Sequence, residues 1–141
     1  MFFIKNYQVL YFTRSGKTKH IADAIAQAIG VTAEPVEKAT LKENTFLFLG
    51  SGCYGGKPGK QMLAFITNND FISKTVALFG TGGGEGKELM EMESVLKAKH
   101  ATVRGKFSCK GQFMVFSRGR PNRDDEHNAK VFAKKMTKES S

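Results

Sequence analysis

Three apolar runs in this chain each end in glycine, and that repetition constrains the fold more than any other feature. Residues 7–12 (YQVLYF) break at Thr13-Arg14-Ser15-Gly16. Residues 45–49 (TFLFL) run into Gly50-Ser51-Gly52-Cys53-Tyr54-Gly55-Gly56-Lys57-Pro58-Gly59, and residues 75–79 (TVALF) into Gly80-Thr81-Gly82-Gly83-Gly84. A short, continuously apolar run of β-branched and aromatic residues bounded by glycine is the pattern of a strand buried on both faces. Helical periodicity lies between the runs. Ile21, Ile25 and Ile29 recur every four residues among Ala22, Ala24, Ala26 and Ala28, and Gly30 stops the pattern. Met62, Leu63, Phe65 and Ile66 mark a short helix over residues 61–66, with Pro58 near its start, and Leu89, Met92 and Leu96 mark a third helix.

The remaining segments complete the alternation. Residues 31–36 read as a short second strand that Pro35 places at or near an edge. Residues 103–107 and 112–116 read as the last strand, or as a pair around Ser108-Cys109-Lys110-Gly111, with Phe107, Phe113 and Phe116 as strand-core residues. After Gly119-Arg120-Pro121-Asn122, the acids Asp124, Asp125 and Glu126 open a helix whose inner face is Ala129, Phe132, Ala133 and Met136. Lys134, Lys135 and Lys138 follow, in the order the helix dipole favours. Strands alternating with helices imply a parallel sheet covered on both faces. At 141 residues the expectation is a single domain over 1–141, which excludes a two-domain enzyme. Ligands of such sheets bind beyond the carboxyl ends of the strands, where the glycine loops fall.

The chain carries 22 Lys and Arg against 13 Asp and Glu, a net charge of +9, which suggests an anionic partner. Cys53 and Cys109 have no CxxC pair or His cluster beside them, so they read as reduced intracellular thiols rather than zinc ligands. His20, His100 and His127 have no neighbouring acid or nucleophile in a recognisable arrangement and read as helix-surface residues. The apolar runs are far shorter than the ~20 residues a membrane span needs. The initial apolar residues are interrupted by Lys5 and Asn6 before a signal-peptide core could form, so the expected setting is soluble and cytoplasmic.

The first loop offers Thr13, Arg14, Ser15, Gly16, Lys17 and Thr18 to one phosphate-sized anion: hydroxyls, backbone N–H groups, a helix N-terminus and two cations. A nucleotide P-loop is excluded. Gly16-Lys17-Thr18 satisfies the end of G-x-x-x-x-G-K-[ST], but the first glycine falls on Tyr11 inside the strand, and the next strand ends without the magnesium-holding Asp. The dinucleotide fingerprint also fails, because this loop has one glycine.

These residues resemble the flavodoxin family. T-R-S-G-K-T is similar to that family's phosphate loop, FLFLGSGCYGGKPGKQMLAFI to its third strand, flavin-contacting loop and following helix, and VALFGTGGG to its fourth strand and loop. GRPNRDDEHNAKVFAKKM is similar to its last helix. The resemblance implies an α/β three-layer sandwich on a five-stranded parallel sheet in the order 2-1-3-4-5, in the short-chain form, that binds FMN and carries electrons to a partner oxidoreductase. It implies that Thr13 to Thr18 hold the FMN phosphate and that Ser51, Gly52, Cys53, Tyr54, Gly55 and Gly56 form one flavin-contacting loop. Within that loop Tyr54 would pack on the isoalloxazine, and Gly55 and Gly56 would let the backbone approach its N5 edge and reorient there. Thr81, Gly82, Gly83 and Gly84 would line the other side. The last loop carries no aromatic, so the family's usual second stacking partner is missing. Cys53 reads as a small filler beside the ring, and Cys109 as inert.

Arg14, Lys17, Lys57 and Lys60 surround these loops with Glu85 as the nearest acid, which predicts a reduced, anionic flavin easier to form than in acidic relatives. A small reductase using NAD(P)H directly, and a flavin-free module binding an acidic partner, are the rival readings. Nucleic acid is disfavoured because aromatics do not interleave with the cations. By segment the charge is +2 over 1–50, +1 over 51–100 and +6 over 101–141. The cluster Arg104, Lys106, Lys110, Arg118, Arg120 and Arg123 therefore points to steering of an acidic redox partner, with Arg118, Arg120 and Arg123 at the docking face.

Overall fold

A computed structural model describes residues 6–83, 85–110 and 121–140, with side chains through 138. The elements are β1 (Asn6–Phe12), α1 (Lys17–Ile29), β2 (Ala33–Pro35), a 3-10 turn (Val36–Lys38), β3 (Thr45–Gly52), α2 (Lys60–Asn68), β4 (Thr75–Gly82), α3 (Lys87–Ala98), β5 (Thr102–Lys110) and α4 (Arg123–Ser140). The sheet is parallel throughout and runs β2-β1-β3-β4-β5, the order the resemblance implies.

Period-2 alternation sorts the strand side chains into two cores. Val9, Tyr11, Phe46, Phe48, Ala77 and Phe79 face α1 and α4, where Ile21, Ile25, Ala129, Ala133 and Met136 meet them. Leu10, Phe12, Leu47, Leu49, Val76 and Leu78 face α2 and α3, against Met62, Phe65, Ile66, Leu89, Met92 and Leu96. All of β3 is buried, as its unbroken apolar run requires. Each large side chain so enclosed contributes about 1.5–3 kcal/mol relative to exposure.

Two expected loops begin later than the glycines suggest. β3 continues through Gly50-Ser51-Gly52 and β4 through Gly80-Thr81-Gly82, with Gly50 paired to Tyr11 and Phe79, and Ser51 to Phe12 and Gly80. These glycines make room for neighbours rather than turning the chain. A Cβ at Gly50 would run into the Phe79 ring, and one at Gly80 into the Glu88 carboxylate. The extended β4 carries β5 with it. Ser108, Cys109 and Lys110 pair with Gly80, Thr81 and Gly82, so they are strand and not the turn between two strands. The expected strand 112–116, with Phe113 and Phe116, lies outside the described residues. β2 holds only three residues at the sheet edge, and Val36 already begins the 3-10 turn.

The helix ends are closed in different ways. At the amino edge, Lys99 Nζ donates to the carbonyls of Ile66, Thr67 and Asn69, closing the end of α2. At the start of α4, Asn122 N–H donates to Asp125 Oδ2 and Asp125 N–H to Asn122 Oδ1, a reciprocal cap. The helices α1, α2 and α3 begin on Gly16, Gly59 and Gly86, and no side chain caps any of the three.

Candidate functional site

The site is built where β1, β3 and β4 end. Gly16 opens α1 in the left-handed region at φ 87°, a conformation that favours glycine, and its N–H donates to Thr13 Oγ1 at 2.9 Å. No acid stands in the first turn of α1, so its N-terminal N–H groups and positive dipole end face outward beside the exposed Arg14. Thr18 is buried, and its hydroxyl lies 2.8 Å from the Thr81 hydroxyl, which ties the first loop to the end of β4.

The second loop is a tight reversal. Tyr54 N–H donates to the Lys57 carbonyl at 2.7 Å and Lys57 N–H donates back at 3.3 Å, with Gly55 and Gly56 between them at φ 64° and 80°. Two successive positive φ values define the glycine-demanding primed turn. Ser51 is fully buried; its hydroxyl accepts Gly59 N–H and donates to the Gly52 carbonyl, so it fixes the base of the loop.

Tyr54 leans on the first loop. Its hydroxyl accepts Arg14 N–H at 3.1 Å, its ring meets Phe12 edge-on at 6.0 Å, and the Arg14 guanidinium lies 4.3 Å from its centroid. Burial pushes the phenol above its ordinary value, against the pull of the Arg14 N–H and its charge. Gly52 has no room for a Cβ beside the Tyr54 hydroxyl. One face of the Tyr54 ring is thus covered by the Arg14 guanidinium.

Residues Thr13 to Thr18, Cys53 to Gly56 and Thr81 to Gly83 therefore converge on one edge, while Gly84 lies outside the described residues. Two cavities open among them. One of about 750 Å³ is lined by Arg14, Tyr54, Lys57, Lys60, Leu63 and Glu91. Another of about 210 Å³ is lined by Cys53, Gly56, Gly83, Glu85, Lys87 and Glu88.

Besides Glu85 and Glu91, which line the cavities, a third acid, Glu88, packs against the site. Glu85 is exposed, 3.6 Å from Lys87. Glu88 is fully buried across Gly80 and Gly82, accepts the Ser108 hydroxyl at 2.7 Å on Oε2, and leaves Oε1 without a hydrogen-bond partner among the described residues. Sequence reading missed it because an acid in a first helical turn ordinarily faces water. The available signal was glycine at alternate positions of β4, which leaves a gap on one face for a larger side chain. His20 and His127 are exposed on α1 and α4, and His100 is exposed in the turn after α3. No group of three His, Cys, Asp or Glu suited to a metal occurs among the described residues.

Comparison with known proteins agrees with this architecture. A family model described as a flavodoxin domain matches residues 8–116. An uncharacterized protein of Methanocaldococcus jannaschii is 30% identical over 135 residues, covering 86% of this chain and 90% of that protein. Among solved structures, a flavodoxin from the domain Archaea superposes with a TM-score of 0.77 at 21% identity, covering 94% of this chain and 96% of its own. Flavodoxin 2 from Bacillus cereus superposes with a TM-score of 0.74 at 20% identity, covering 96% and 99%. At these identities the solved structures establish the fold.

Proposed function

The chain belongs to the flavodoxin family of flavin-binding electron-transfer proteins, and from that premise we propose that its cofactor is FMN and that it passes electrons to a partner oxidoreductase. The observation that carries the reading is the α1 start: an outward N-terminus without a capping side chain, beside Thr13, Ser15 and Arg14, joined to the ring side of the site through the Thr18–Thr81 hydroxyl pair. These residues fit a phosphate monoester and give a physical reason for each contact.

FMN, when bound, supplies one- and two-electron transfer, while the chain sets binding and electrostatics. Thr13 to Thr18 hold the phosphate. The Gly55-Gly56 turn brings backbone close to the ring, and Cys53, Tyr54 and Thr81 to Gly83 enclose it. The exposed cations Arg14, Lys57 and Lys60 favour the reduced, anionic flavin, with buried Glu88 opposing them. A redox titration is expected to give a less negative potential for full reduction than in acidic flavodoxins; a potential as low as theirs overturns this point.

Addition of FMN to the purified protein is expected to give a yellow complex with quenched flavin fluorescence. FMN should bind at least about tenfold more tightly than riboflavin, as phosphate recognition worth about 1.4 kcal/mol requires. Equal affinity for the two refutes the phosphate site. Steady NAD(P)H consumption by the protein alone would instead identify a flavin reductase.

The partner is proposed to be acidic at its docking face. Arg118 and Arg120 lie outside the described residues, whereas Arg123 is exposed at the start of α4, where it lines a groove with His20 and Asp23 of α1. Charge reversal at Arg118, Arg120 and Arg123 should slow electron transfer in a salt-dependent way; rates that ignore both the reversal and salt refute it.

A further inference from the structure

Cys53 sits where cysteines usually become reactive. It lines one cavity with Gly56 and with Lys87 and Glu88 of the first turn of α3, so a helix N-terminus and a cation stand beside it. A helix N-terminus with a neighbouring cation favours thiolate, the nucleophilic form. Against this stands Glu88. A Cβ placed on Gly82 would lie 3.5 Å from Cys53 Sγ and 3.4 Å from Glu88 Oε1, so the sulfur and the unpartnered carboxylate oxygen border the same glycine gap. Both residues line the 210 Å³ cavity between the two ring loops.

We propose that Glu88 is a positioning residue that guards Cys53: its buried carboxylate, lodged in the gap left by Gly80 and Gly82, keeps the sulfur beneath the ring loops from acting as a nucleophile. Burial pushes the Cys53 thiol up and the Glu88 charge adds to it, outweighing the backbone N–H groups of Gly56 and Glu88 and the Lys87 charge, which pull it down. The other groups facing the pair are exposed Glu85 at the cavity mouth and the neutral Ser108 hydroxyl of β5. Lys106, on the same strand, is engaged by Glu93. The value of such a guard rests on the FMN reading, because a thiolate beside an electrophilic flavin ring would add to it. The guard itself is a property of the chain and can be read without cofactor.

The test is alkylation of the apo-protein by iodoacetamide, in which the thiolate forms an S–C bond and iodide leaves, followed by mass across pH 6–10. Cys53→Ser supplies the background from buried Cys109. In wild type, Cys53 should react with a midpoint above the ~8.5 of a free cysteine. Glu88→Gln should raise its rate at neutral pH roughly fivefold or more by lowering that midpoint. Lys87→Met, an exposed change that leaves the core intact, should slow the reaction and keeps the test open if Glu88→Gln does not fold. A wild-type midpoint at or below ~8.5, a folded Glu88→Gln within twofold of wild type, or acceleration in Lys87→Met overturns the guard. FMN titration of wild type, run alongside, reports separately on the cofactor reading.

Discussion

At the amino edge of the sheet one lysine, Lys99, answers three backbone carbonyls at the end of α2. At the carboxyl edge α1, α2 and α3 start on glycine with no capping side chain, whereas α4 is closed by Asn122 and Asp125, and Glu88 keeps an oxygen without a partner among the described residues. Unmet hydrogen-bonding capacity costs stability wherever it is buried. These unmet groups lie at the edge where the three glycine loops converge. Beneath the open edge the apolar packing is close, with no room for a Cβ between Gly50 and the buried Phe79 ring.

That last point gives the largest expected effect. Gly50→Ala drives a methyl into the buried Phe79 ring and should cost about 2–3 kcal/mol in denaturant unfolding, partly recovered in Gly50→Ala/Phe79→Leu. A neutral Gly50→Ala would mean that the open edge is loosely packed and would break the comparison. At the closed edge, Lys99→Met should cost about 1–2 kcal/mol of stability and leave FMN affinity within twofold, because the three carbonyls it abandons are far from the site. Thr13→Ala should do the opposite, weakening FMN about fivefold, or about 1 kcal/mol, with a smaller loss of stability from its bond to Gly16 N–H. A loss of stability equal to the loss of affinity would make Thr13 structural.

The smallest effect lies away from both edges and calibrates them. The Glu93 carboxyl is held below its ordinary value chiefly by the hydrogen bond from Lys106, with Lys97 adding to it. A lowered folded-state value stabilises at pH above the ordinary carboxylate range, and the contribution fades as pH falls through the folded value. Glu93→Gln should therefore lose a few tenths of a kcal/mol at pH 7, as surface pairs do, and progressively less as pH falls through the folded value. An equal loss at every pH would show that packing, not charge, is responsible.

Much of the architecture was legible because long-range and local signals agreed. Residues 45–49 and 75–79 are apolar without interruption, and a strand between two helical layers has to be. Ile21, Ile25 and the alanines of α1 left one helical face for the core. The sequence misled where one residue type serves two physical ends. Gly50, Gly52, Gly80 and Gly82 look like turn residues, yet they extend the strands because Phe79, Tyr54, Glu88 and Cys53 fill the space beside them. Ser108-Cys109-Lys110 could be read either as strand or as the centre of a pair for the same reason, since its strand character depends on the length of β4 next door. Within the site, convergence of the loops followed from their order along the chain. The embrace of Tyr54 by Arg14 and the inward turn of Ser51 did not, because each depends on contacts eight to forty residues away.

Parallel sheets leave two flanks that could recruit strands from other chains and polymerise. One flank here, β2, offers three residues and ends in a proline that has no N–H to give. The other, β5, is the outer strand among the described residues. It alternates exposed and partly covered positions over most of its length, with Arg104, Lys106 and Lys110 exposed along it. Cations set along a flank repel an identical flank on a second molecule. Charge placed on this flank would discourage edge-to-edge fibre growth at high concentration.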